Sequence, residues 1–279
     1  MTGATGTVGS SVVSELLAAG EPVRAAVRHL PATATDGAEP VRFDFTDPTS
    51  WGPALEGVDR LFLVRPPAIS DVKTYLRPAI RTAAERGLKQ VVFLSVMGVN
   101  RFLPHWQVER DIEAAGLAHT FLRPAFFAQN LLTAYRNDVV EHDRIRLASG
   151  SGRTSFVDTR DVAAVAAVAL RDPSAHAGGA YTLTGPAALT YHQVASMLSA
   201  ELGRPIRYER IGLRRYRREL RAQGLDGSYV NVQVVINAVA ALGLAAKVTP
   251  QVRAVLGRDP IPLTRFIAEH AACWQSEAP

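Results

Sequence analysis

Three glycines at intervals of three, Gly3, Gly6 and Gly9, lead directly into Ser10–Leu17, a stretch with the apolar spacing of an amphipathic helix. A glycine-rich turn opening a helix is suited to a pyrophosphate, because unpaired backbone N–H groups and the helix dipole converge on the same point. One glycine turns the chain, a second lets the backbone approach the phosphates, and a third packs helix closely on strand. Thr5, Thr7 and Val8 fill the positions between them. On their own, three glycines are weak evidence, since turns collect glycine anyway.

Other residues with chemical potential stand at the ends of apolar runs. Arg28 closes the alternating segment Pro22–Arg28, about 20 positions beyond the glycines, where a carboxylate would bind a ribose 2′-hydroxyl and an arginine accommodates a 2′-phosphate. NADP(H) is therefore expected over NAD(H), with the capping of an exposed strand end as the plainer role for Arg28. Asp44 ends Val41–Phe45, as an acceptor for an adenine amino group or as a helix cap. Val64 and Arg65 end Arg60–Val64, Ser95 ends Gln90–Ser95, and Pro124 stops Leu117–Arg123.

These runs alternate with helical stripes: Asp47–Leu55, Asp71–Arg86 closed by Gly87, and Val108–Ala115 closed by Gly116. The βαβα order predicts an α/β, Rossmann-type, doubly wound parallel sheet. Ligands of such sheets sit off the carboxyl ends of the strands, the edge shared by Gly3–Gly9, Arg28, Asp44, Val64, Arg65, Ser95 and Pro124. A polar loop is expected over 31–39, a further helix over Asp158–Leu170 and a strand over Gly179–Thr184. Residues 1–130 and about 155–185 then make the dinucleotide-binding domain. Residues 131–154 and 186–279 make a smaller, mostly helical substrate-side lobe, with a helix over 190–203 and a strand over 206–211. Only Met1 and Thr2 precede the turn where this fold places a central strand, so the natural protein is expected to start several apolar residues upstream, or the sheet to have a truncated, weak centre.

Composition narrows the classes of function. With 279 residues, 47% hydrophobic and 20% charged, the chain reads as an ordinary globular protein, and no apolar run reaches the ~20 residues of a membrane span. A single cysteine, Cys273, excludes an internal disulfide framework and suits a reducing cytoplasm. The net charge of +5 comes almost wholly from arginine, densest over Arg214–Arg221. That cluster reads first as a solvated helix face. Its arginines could also bind phosphates, but no nucleic-acid-binding motif accompanies them, so nucleic acid is not expected as a partner, and with no apolar run long enough to span a bilayer neither is a membrane. A Tyr-x-x-x-Lys pair, a phosphate loop ending in Gly-Lys, a zinc-binding His-Glu-x-x-His and a Gly-x-Ser-x-Gly elbow are all missing from the sequence, which leaves hydrolase and metalloenzyme readings without support and no metal expected.

Taken together, Thr2–Gly9, Val91–Ser95, His105-Trp-Gln-Val-Glu109 and Thr120–Asn130 resemble the NmrA-like family of atypical short-chain dehydrogenase/reductases, and the similarity continues through Ser155–Val162 and Leu189–Val194. The resemblance implies a nicotinamide dinucleotide cofactor. It also implies one of two activities: reduction of quinone-like or triphenylmethane substrates, or non-catalytic sensing of the cofactor by a redox-sensing or regulatory protein. By position it places Gly3, Gly6, Thr7, Val8 and Gly9 around the pyrophosphate, Arg28 near the 2′-phosphate, Val64 and Arg65 along the nucleotide, and Ser95 close to the nicotinamide. His105 becomes the candidate polar contact to cofactor ribose or substrate, or alternatively a histidine that precedes and caps a helix. Trp106, Phe127 and Asn130 are candidates for the cleft, and the aromatic residues Trp106, Phe126, Phe127 and Tyr135 would suit a flat apolar substrate or, more plainly, fill the core between the lobes. Hydride transfer needs no protein nucleophile, so the missing Tyr/Lys pair does not exclude a reductase. The partner expected is a small molecule, with the chain acting as a monomer or homodimer.

Overall fold

A computed structural model describes residues 1–30 and 37–275; the part of the predicted loop that covers 31–36 lies outside the described residues. In chain order the elements are α1 (Thr7–Ala18), β1 (Arg24–Val27), β2 (Glu39–Arg42), α2 (Trp51–Leu55), β3 (Arg60–Val64), α3 (Val72–Glu85), β4 (Gln90–Leu94), α4 (Pro104–Ala114) and β5 (Ala118–Pro124). There follow β6 (Phe126–Phe127), α5 (Arg136–His142), β7 (Arg144–Leu147), β8 (Arg153–Val157), α6 (Thr159–Arg171), α7 (Pro173–His176) and β9 (Gly179–Leu183). The chain continues through β10 (Ala188–Thr190), α8 (Tyr191–Leu202), β11 (Arg207–Arg210), α9 (Leu213–Ala222), α10 (Gly227–Ala241), α11 (Gln251–Leu256) and α12 (Leu263–Glu269). It divides into two units: Met1–Pro124 with Thr159–Leu183 and Gln251–Arg258, and Ala125–Asp158 with Thr184–Pro250 and Asp259–Pro279.

The first unit is built on parallel strands. β3, β4, β5 and β9 pair side by side in that order, and β1 pairs with β2. Met1 and Thr2 join the two sets. The Met1 carbonyl accepts from the Ala26 amide at 2.8 Å, and the Thr2 amide donates to the Phe62 carbonyl at 3.0 Å. The strand order is thus β2-β1-(Met1–Thr2)-β3-β4-β5-β9.

Both faces of this sheet are covered, which is why β3 and β4 read as unbroken apolar runs. One face packs Leu61, Leu63, Val91, Phe93 and Phe121 against Leu76, Ile80, Val108 and Ile112 of α3 and α4. On the other face α6 carries a nearly continuous Ala/Val surface and packs against α1 and the middle strands. Gln90, fully buried in β4, donates through Nε2 to the Ala169 carbonyl of α6 at 2.9 Å, satisfying a donor that burial would otherwise leave unpaired.

The second unit holds more helix than strand, but it also contains two small sheets, β10-β8-β6 and β11-β7. Its core gathers Phe156, Tyr191, Leu198, Tyr208, Phe266 and Trp274. Helix α8 begins with a capping box, Thr190 and Gln193 each holding the other's backbone amide, and ends at the left-handed Gly203.

Candidate active site

The glycine turn is shaped by steric exclusion. Gly3 has φ of +63°, a conformation disfavoured for side chains, and a Cβ there would press on Val64 at 3.1 Å. A Cβ on Gly9 would collide with the Gly3 carbonyl, so the first turn of α1 lies directly on the loop. Gly6 takes the N-cap position of α1 and has no side chain to cap with. The first intrahelical bond runs from the Ser10 amide to the Gly6 carbonyl at 2.9 Å. The amides of Thr7, Val8 and Gly9 therefore face outward at the positive end of a helix of 12 residues, a donor set that fits a pyrophosphate. Thr5 is exposed on the rim.

Thr2 fixes this turn to the next strand end. Its Oγ1 accepts from the Val64 amide at 2.8 Å and lies 3.3 Å from the Phe62 carbonyl. Val64 is thereby held against Gly3. Arg28 follows β1 on the same edge and is exposed. Asp44 follows β2, with its Oδ1 accepting from the Thr46 amide at 2.8 Å and the Thr46 hydroxyl at 2.7 Å. Those bonds, and then the nearby Arg28 charge, hold its carboxyl below the usual range. The helical turn after β2 is capped by Asp47, which accepts from the Thr49 amide at 3.1 Å, so the capping role considered for Asp44 belongs to Asp47.

Farther along the edge stands a polar network that the sequence did not announce. Ser95 is buried, and its hydroxyl donates to Glu109 Oε1 at 2.7 Å. Glu109 is 1% exposed and takes both arms of the Arg123 guanidinium, Nε at 3.0 Å and Nη2 at 2.7 Å. Ser95 is thus tied to a carboxylate and does not present a free hydroxyl. Pro124, at the end of β5, accepts from the Met97 amide at 2.9 Å through its carbonyl. The only sequence hint of this network is the glutamate itself, which shares the buried side of α4 with Val108 and Ile112.

His105 lies inside α4, which begins at Pro104 rather than Val108, so it is not the residue preceding and capping the helix; Leu103 takes that place without a side-chain cap. One helical turn separates His105 from Glu109. His105 Nε2 faces Arg65 Nε at 3.5 Å, and Arg65 is itself held by the carbonyls of Pro66 at 3.0 Å and Ile69 at 2.8 Å. An arginine can only donate, so Nε2 is the acceptor and the ring proton sits on Nδ1. His105 Nδ1 is buried and has no hydrogen-bond partner among the described residues. Burial, and then the Arg65 charge, push the imidazole down to about 4, which keeps it neutral at pH 7.

The aromatic candidates separate. Trp106 is half-buried on α4, its ring 5.9 Å from the Arg110 guanidinium. Phe126 stacks on Tyr135 at 6.3 Å and meets Phe156 edge-on at 5.6 Å, which places Phe126 and Tyr135 in the core of the second unit rather than on a substrate wall. Phe127 and Asn130 belong to that unit and are half-buried. Among the described residues there is no group of three or more His, Cys, Asp or Glu that could hold a metal ion, and no helix long and apolar enough to cross a membrane.

Comparison with known proteins agrees with this architecture. The chain is 35% identical over 283 residues to NAD(P)H azoreductase of Xenophilus azovorans, covering 98% of this chain and 97% of that one. It is 34% identical over 277 residues to the uncharacterized oxidoreductase YesF of Bacillus subtilis, covering 99% and 96%. Among solved structures, the NADPH complex of the quinone oxidoreductase QOR2 from Escherichia coli superposes with a TM-score of 0.87 at 24% identity, covering 97% and 98% of the two chains, a likeness of fold. The NmrA-like family profile matches residues 1–252, and the chain belongs to the NmrA-like family.

Proposed function

We propose that this chain is an NADPH-dependent reductase of flat, conjugated small molecules such as quinones or azo compounds. The observation that carries the reading is the uncapped first turn of α1, whose three amides without intrahelical partners can receive an anion, on the same sheet edge as Arg28. Relatives with names of the same class support it: the azoreductase above, and quinone oxidoreductase 2 of Escherichia coli at 27% identity over 238 residues.

Gly3, Gly6 and Gly9 leave room for the pyrophosphate, Thr7 and Val8 donate to it through their amides, and Arg28 takes the 2′-phosphate, with Asp44 and Val64 lining the nucleotide. Bound NADPH supplies a hydride. Ser95 acts by positioning, since its hydroxyl is committed to Glu109 and holds β4 to α4. His105, neutral, with Nε2 accepting from Arg65 and Nδ1 buried, bears on cofactor or substrate through the Arg65 it holds and has no proton to deliver at pH 7. The proton that completes reduction then comes from water, which suits substrates whose reduced anions are stabilised by conjugation. On the first unit, Trp106 is the side chain proposed to meet the substrate. The exposed thiol of Cys273 fits a reducing, cytoplasmic setting.

The test is NADPH oxidation followed with quinones, azo dyes and conjugated enones. Turnover with at least one class is expected, faster with NADPH than with NADH. Tight NADPH binding without turnover on any of them would overturn the enzymatic reading and leave a cofactor-sensing protein.

A further inference from the structure

Helices α9 and α10 form a hairpin whose outer surface the proposed reaction does not use. On α10, Val230, Gln233, Asn237 and Ala240 face the core. On its other side Tyr229, Val232, Val235, Val239 and Leu242 are spaced three, three, four and three residues apart, and their exposure runs from 36% to 74%. No charged residue occurs between 227 and 246. A helix that is apolar on both sides is normally covered on both. With Leu225, Leu244 and Val248 added, this stretch holds eight of the twelve exposed large hydrophobic residues among the described residues, a concentration that scattered surface side chains do not produce.

The neighbouring helix is its electrostatic counterpart. Arg214, Arg217, Arg218 and Arg221 follow the i, i+3, i+4, i+7 pattern of a single helix face and are exposed. None of the four has a carboxylate partner among the described residues, whereas Arg215, outside that row, pairs with Glu219 at 2.9 Å. Arg217 Nη2 donates to Asn231 Oδ1 at 3.0 Å, and Asn231 stands next to Val232. That bond joins the arginine row to the edge of the apolar stripe, making one surface with a dry band bordered by unneutralised cations.

We propose that this hairpin docks on an anionic lipid bilayer, with α10 lying in the plane of the headgroup–acyl boundary and the arginines on lipid phosphates. A bilayer surface of that kind satisfies both halves at once: apolar side chains enter the acyl boundary, and guanidinium groups fork onto phosphate oxygens. A nucleic acid would use the arginines and leave the stripe in water. A second copy would cover the stripe but add its own arginine row to the first. The expectation that the chain has no membrane partner rested on span length, which a helix lying on the surface does not need.

The test is co-sedimentation of the full chain with vesicles of phosphatidylcholine alone and of phosphatidylcholine mixed equally with phosphatidylglycerol. Binding to the anionic vesicles is expected, falling as salt rises, with at least about tenfold less on the neutral ones. Val235→Asp and the milder Val235→Ser remove much of the apolar contribution. Replacing all four arginines with Gln removes the preference for anionic lipid. All three variants should keep wild-type circular dichroism, since the altered side chains are solvent-facing. Equal, weak sedimentation with both vesicle types overturns the proposal. So do a dimer in sedimentation velocity that Val235→Asp splits while vesicles bind nothing, and salt-dependent binding to duplex DNA without binding to vesicles.

Discussion

The two ends of the parallel sheet differ in what they hold. At the carboxyl end, Thr2 ties the glycine turn to Val64, Arg65 is held by two carbonyls and faces His105, and Ser95, Glu109 and Arg123 close a buried ion-paired network. At the amino end, a pocket of about 370 Å³ is lined by apolar Leu16, Val23, Ala26 and Leu61 and by charged Glu21, Arg24, Asp59 and Arg60, among others. The glycine turn is shaped locally, by helix α1, Val64 and Thr2.

Substitutions at the two ends should therefore differ in size and in kind. The largest effect is expected from Glu109→Ala, which strands the Arg123 guanidinium and the Ser95 hydroxyl against a buried gap. Urea unfolding should lose about 3–5 kcal/mol, and a loss below about 1 kcal/mol would mean the network is not structural. Gly9→Ala comes next, because its methyl group must displace the Gly3 carbonyl. NADPH affinity measured by calorimetry should fall at least about a hundredfold, equivalent to roughly 2.7 kcal/mol. Unchanged affinity would separate the turn from the cofactor.

His105 gives a pH-dependent contrast. Its folded pKa of about 4 lies below the ordinary histidine value of 6.5, so the unfolded chain binds its proton first as pH falls. The stability of neutral His105 is fully present above about pH 6.5 and is lost as pH drops toward 4. His105→Gln should flatten the dependence of the urea midpoint on pH between those limits, and an unaltered slope would show that His105 titrates as in the unfolded chain. The smallest expected effect is at the amino end. Ala26→Val adds two methyl groups beside the cavity in a strand position, and should raise stability by up to about 1 kcal/mol, where the same overpacking at the carboxyl end would lower it.

Much of the first unit was legible because its strands are buried on both faces and its helices end in glycine. Arg60–Val64 is a strand over the predicted residues, and the strand read over Gln90–Ser95 ends one residue earlier, at Leu94. The third strand was displaced, since Asp44 and Asp47 pair across a turn that Trp51 Nε1 closes onto the Asp44 carbonyl at 2.7 Å, leaving Glu39–Arg42 to pair with β1. The start of α4 was missed because Pro104, His105 and Trp106 interrupt the apolar stripe, although proline is favoured in a first helical turn. The Glu109–Arg123 pair could not be read from periodicity, because its partners come from a helix and the next strand and meet only on folding. In the second unit the strand expected over 206–211 forms as β11, whereas its short partner β7 and the short β8 were not read as strands.

The central claim, a 2′-phosphorylated cofactor on the glycine turn, is tested most directly by titrating wild type and Arg28→Ala with NADPH and with NADH. The account predicts that Arg28→Ala weakens NADPH by about ten- to a hundredfold while NADH changes by less than about twofold, as loss of one charge-assisted contact to the 2′-phosphate requires. Equal losses for the two cofactors, or tighter wild-type binding of NADH than of NADPH, would contradict it.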